Sequence, residues 1–155
     1  MRLWYNLFML EFIKKNALYL AFAGSLIAML GSLYFSEIAG FPPCVLCWYQ
    51  RISMYPLAVI LGSAIYTKER KLLIPAFILI IPGWLISVYH NLLYYNILPE
   101  AAAPCVAGIS CTTKFIEWFG FITIPFLAFA GFTSIFILLV IHWKATSNNQ
   151  GATNV

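Results

Sequence analysis

The chain has 155 residues, of which 63% are hydrophobic, 17% aromatic and 9% charged, and its net charge is +4. An average soluble domain carries roughly 25% charged residues, so this composition cannot cover a soluble surface, and its wealth of aromatics excludes a disordered chain. Nine Lys and Arg scattered along the whole length form no stripe that could track phosphates, which argues against a nucleic-acid partner.

Residues 1–12 mix Trp4, Tyr5, Phe8 and Leu10 with Arg2 and Glu11, the pattern of a short interfacial helix. Four apolar stretches follow, at 17–36, 45–66, 72–93 and 119–142, each close to the 20 or so residues that cross a bilayer core. The first follows Lys14 and Lys15, as a signal peptide would. Its apolar run is too long for one, however, and Glu37 to Pro43 is a poor cleavage site, so it is expected to be retained. Residues 145–155 are small and polar and are expected to be a disordered tail. The fold expected is an all-α integral membrane protein, a four-transmembrane-helix bundle forming one domain over 1–155.

Basic residues set the orientation, because cytoplasmic loops carry the excess of Lys and Arg. With both termini inside, the cytoplasmic side receives Arg2, Lys14, Lys15, Lys68, Arg70, Lys71 and Lys144, against Arg51 and Lys114 outside. Both termini are therefore expected to be cytoplasmic. Trp48 and Trp118 on the outer side, with Trp4 and Trp143 on the inner, fit aromatic belts. All four cysteines then face a compartment that permits disulfides.

Pro42-Pro43-Cys44-Val45-Leu46-Cys47-Trp48-Tyr49-Gln50-Arg51 is the most informative stretch. The two prolines predict that the second span begins near Cys44. Two cysteines three apart in a first helical turn meet free backbone N–H groups and the positive helix end, which favour a thiolate. At about 100° per residue, Cys44, Cys47 and Arg51 share one face. A cation inside an apolar segment is costly and points to function; Arg51 could hold Cys47 as thiolate or polarise a carbonyl oxygen arriving through the lipid. Snorkelling to the interface is its structural alternative.

Cys105 and Cys111 lie in a short loop where Gly108 permits a tight turn, so they form either a structural staple or a second exchanging pair. A four-cysteine zinc site fits the ligand count, but the oxidising side and the membrane-embedded first pair disfavour it, and no metal is expected. His90 falls near the outer end of the third span, at the depth of Arg51, as a donor to a polar ligand or as an ordinary interfacial histidine. Trp48, Tyr49 and Tyr89 are placed to line a cleft near Arg51.

The stretch from Pro43 to Arg51, the four-span plan and Trp118 to Pro125 opening the last span together resemble the DsbB family of disulfide bond formation proteins, and the short second loop is most similar to its BdbC branch. The resemblance implies a thiol:quinone oxidoreductase of the bacterial plasma membrane. Such an enzyme reoxidises a soluble or lipid-anchored extracytoplasmic thiol oxidase of the DsbA or BdbD type and passes two electrons to menaquinone or ubiquinone. It further implies that Cys44 and Cys47 form the quinone-coupled pair, that Arg51 and His90 lie at the quinone with Cys47 next to it, and that Cys105 and Cys111 face the partner, Cys105 forming the mixed disulfide. The long loop that carries the second pair in the best-known branch is missing here, which leaves the order of inter-loop exchange open, including any Cys44–Cys111 intermediate. Two other readings compete. One is an epoxide or quinone reductase resembling the vitamin K epoxide reductase group; the other is a non-enzymatic membrane adaptor whose cysteines only staple loops.

Overall fold

The computed structural model describes residues 2–99, 110–113 and 123–152, and side chains within 11–99, 110–113 and 123–147. Four long helices carry the described chain. α1 covers Arg2–Leu33 and passes into a π-helical turn at Tyr34–Ile38; α2 is Val45–Thr67, α3 is Leu73–Tyr94 and α4 is Ile124–Ala152. Each packs on the next, and α1 closes the bundle against α4. No strand occurs among the described residues.

Three segments, Glu11–Ile38, Arg70–Tyr94 and Ile124–Ser147, are long and apolar enough to cross a membrane. α2 is the fourth member of the bundle. It has the length, but Gln50 and Arg51 lower its hydropathy, so the polar residues that dilute the span are the ones that fall in the site. Residues 2–12 are helical and continuous with α1, since nothing between Arg2 and Leu33 breaks a helix. α4 continues to Ala152, because extending a formed helix through 145–152 costs little where no proline intervenes.

The core is a column of Ala21, Met54, Leu57, Leu61, Leu73, Ala76, Ile80, Phe132, Ile135 and Leu139, drawn from all four helices. Polar ties cross it: the Trp84 indole donates to Thr133 Oγ1 at 3.0 Å, and the Asn91 amide donates to the Pro125 carbonyl at 2.9 Å, both joining α3 to α4. At the end opposite the cysteines, Lys68 takes a left-handed conformation (φ 57°) to end α2, and the Arg70 guanidinium lies 4.2 Å from the centre of the Trp143 ring.

Gly83 marks the closest approach of α3 to its neighbours. A Cβ there would overlap the Phe132 ring and sit 3.0 Å from Ser53 Cβ. Gly83→Ala should therefore cost about 1–3 kcal/mol, the usual penalty for overpacking, read as a lowered midpoint of unfolding in detergent. Gly131→Ala, whose added methyl meets nothing within 4 Å, should not lower that midpoint and should add up to about 1 kcal/mol of stability, the helix-propensity gain of Ala over Gly.

Candidate functional site

The site is built from the start of α2. Gly40 (φ 69°) turns the chain after the π-helical segment, and Pro42 and Pro43 deliver it in extended form to Cys44. Cys44 (φ −72°, ψ 171°) is the N-cap residue, and its sulfur accepts the backbone N–H of Cys47 at 3.3 Å. An N-cap side chain accepts from the second or third helical N–H. The spacing of the two cysteines is therefore the capping spacing, and it sets the sulfurs 2.8 Å apart, both as free thiols.

Arg51 lies on the same helical face and is half-buried. Its Nε donates to Ser32 Oγ at 2.8 Å and one terminal nitrogen donates to the Ser32 carbonyl at 3.0 Å, while the guanidinium lies 5.4 Å from the centre of the Trp48 ring. The guanidinium is thus pinned to α1 and stays at the depth of the cysteines. Trp48 and Tyr49 are exposed, and Tyr89 is packed against the cysteine cluster.

His90 is buried between the two cysteine segments. Its Nε2 lies 3.8 Å from Cys44 Sγ and 3.2 Å from the carbonyl oxygen of Cys111, and its Nδ1 lies 3.5 Å from the Gln50 side-chain nitrogen. Cys44, Leu46, Leu93 and Cys111 form one buried cluster there. Cys111 is disulfide-bonded. Cys105, Lys114, Trp118, Glu100 and Glu117 lie outside the described residues, as do the side chain of Trp4 and residues 119–122 of the expected last span. A cavity of about 470 Å³ opens beside Cys47 and Arg51 and runs between α1 and α4 past Gly31, Ala28 and Gly131. It has a polar end at the cysteines and an apolar body, the shape of a site for an amphiphile entering from lipid.

The structure brings Cys44, Cys47, Arg51, His90 and Cys111 to one end of the bundle, around this cavity. Sequence reading missed Gln50 and Ser32. Gln50 carried a usable signal, a polar side chain inside an apolar segment beside Arg51; Ser32 carried none, because serine is common in membrane helices. The donor atoms of Cys44, Cys47 and His90 lie within 4.8 Å of one another, a set able to hold a soft metal ion only while the cysteines are reduced.

The family model described as Disulfide bond formation protein DsbB matches residues 14–142. The chain belongs to the DsbB family. Among the family's curated members, Disulfide bond formation protein C of Bacillus subtilis (strain 168) is 50% identical over 125 residues, covering 79% of this chain and 88% of its own length. Probable disulfide formation protein C 1 of Bacillus anthracis is 46% identical over 122 residues, covering 79% and 88%. Probable disulfide formation protein C 2 of the same organism is 44% identical over 138 residues, covering 89% and 98%. No solved structure matches the chain. DsbB-family membership and the apolar helices make this a multi-pass membrane protein of the disulfide-forming oxidoreductase class.

Proposed function

We propose that this protein is a thiol:quinone oxidoreductase that recharges an extracytoplasmic, thioredoxin-like thiol oxidase. The observation that carries the reading is the shared cavity: Cys47 and Arg51 stand at the polar end of an apolar slot between α1 and α4, where a lipid-soluble acceptor can meet a thiol and a cation together. Electrons enter when the reduced partner attacks the Cys105–Cys111 disulfide, Cys105 forming the mixed disulfide. The resulting dithiol attacks Cys44–Cys47, and the packing of Cys111 against Cys44 favours a Cys44–Cys111 intermediate. That exchange frees Cys47, which gives its electrons to the quinone, and quinol leaves into the membrane. Arg51 meets the quinone oxygen and His90 lies behind Cys44. A two-electron couple gains roughly 1.4 kcal/mol per 30 mV, so a strongly oxidising acceptor keeps the relay charged.

The orientation proposed puts both termini in the cytoplasm and both cysteine pairs outside the plasma membrane. The partner is a soluble or lipid-anchored oxidase of the DsbA or BdbD type, and the acceptor is menaquinone or ubiquinone. The test mixes the purified, reduced protein with each quinone and follows quinol formation, adding reduced thioredoxin-like partners in turn. Catalytic quinol formation driven by the partner is expected. Consumption of a quinone epoxide with no quinol formed from quinone would replace this reading by an epoxide reductase. Alkylation of all four cysteines without effect on function would replace it by an adaptor.

A further inference from the structure

The two nitrogens of His90 have different neighbours, and together they determine which one carries the hydrogen. Nε2 faces the Cys111 carbonyl oxygen at 3.2 Å. A carbonyl oxygen only accepts, so Nε2 is the protonated nitrogen. In the neutral ring Nδ1 is then an acceptor, and the group within reach of it is the Gln50 amide nitrogen, a donor, at 3.5 Å. Both contacts demand the same tautomer. Gln50 is 7% exposed and His90 2% exposed, so each would be costly to leave unpaired. Among the described residues, the side-chain polar contact of Gln50 is His90.

We propose that Gln50 is a positioning residue that locks His90 as the Nε2–H tautomer, so that a single N–H is held at once against the Cys111 backbone and the Cys44 sulfur and couples the two cysteine pairs. This rests on the thiol relay proposed above and adds the residue that orients its crossing point. In the crossing, the Cys111 thiolate attacks Cys44 Sγ, the Cys44–Cys47 bond breaks and Cys47 leaves as thiolate. The Cys105 thiolate then attacks Cys111, forming Cys105–Cys111, and Cys44 leaves with the electron pair of its bond to Cys111. One dithiol is oxidised, one disulfide is reduced, and the two thiol protons go to water before attack. At the second step the charge gathers on the sulfur that lies 3.8 Å from Nε2, where the fixed N–H receives it.

The alternative state of His90 is the imidazolium, which would need Gln50 turned to offer its carbonyl oxygen to Nδ1–H. Besides His90, the titratable or charged side chains lining the shared cavity are Cys44 at the N-cap, Cys47, Arg51 and Tyr55 on α2 and Tyr94 on α3, while Cys111 is disulfide-bonded; among the described residues α1 and α4 present none.

The tautomer is read directly by ¹⁵N NMR of the full-length, detergent-solubilised protein labelled at histidine, with His142→Asn used to assign the other ring. Wild-type His90 should give the pattern of a neutral ring protonated at Nε2. Gln50→Met, nearly isosteric and without a donor, should shift the Nδ1 signal toward that of an unbonded nitrogen. It should also slow thiol-driven quinol formation roughly three- to tenfold, the worth of one hydrogen bond. Gln50→Glu should convert His90 to the imidazolium pattern while keeping Nε2–H. An Nδ1–H tautomer in the wild type overturns the proposal, as does a Gln50→Met protein with wild-type Nδ1 signal and wild-type relay rate. A wild type that passes no electrons to quinone overturns the relay and leaves the tautomer assignment to be decided by the spectrum.

Discussion

Cys47→Ser should reduce thiol-driven quinol formation by at least about a thousandfold, the scale on which loss of a nucleophile is felt, and Cys44→Ser should do the same by a different route. Cys47 borders the cavity that would receive the acceptor, so its loss removes the atom that hands over electrons. Cys44 is buried against the Cys111 segment, so its loss removes the entry from the second pair. The two variants are separable in single turnover. With the protein chemically reduced beforehand, Cys44→Ser should still react with quinone at its remaining Cys47 thiol, and Cys47→Ser should not. Folding should survive in Cys44→Ser, because a serine at an N-cap accepts the same backbone N–H as the cysteine does. Undiminished steady-state turnover in both variants would sink the relay.

Arg51→Ala carries the second large expected effect. The guanidinium is already oriented by two hydrogen bonds to Ser32, which leaves its remaining donors available at the polar end of the cavity. A charge-assisted hydrogen bond contributes about 1.5–3 kcal/mol, so the KM for quinone should rise roughly 10- to 100-fold, with the rate of exchange between the cysteine pairs unaffected. Arg51→Lys should fall between, since the charge is kept while the planar fork that engages Ser32 is lost. An unaltered KM for quinone in Arg51→Ala would remove this residue from the acceptor site.

The parts of the site that lie close together in sequence were legible there. Two prolines, a cysteine pair at capping distance and an arginine one turn on define a helix start and a face without reference to the rest of the chain. The four-helix plan was legible too, because a bilayer imposes length and apolarity on each span. What escaped depends on contacts between distant segments. His90 could be placed at the right depth, but its position between Cys44 and the Cys111 carbonyl depends on how α3 meets a loop that follows it by some twenty residues. Ser32 is invisible as a partner of Arg51 until α1 and α2 are packed. At the ends of the chain, composition signals where a helix stops being apolar, and helical hydrogen bonding continues past that point.

The thiol cap at the start of α2 has a consequence for the speed of the chemistry. Cys44 and Cys47 are already brought together by the hydrogen bond that begins the helix, so converting the pair between dithiol and disulfide exchanges one link between the same two residues for another. The surrounding backbone has little to reorganise when electrons pass. Its first turn can serve as a common template for both redox states.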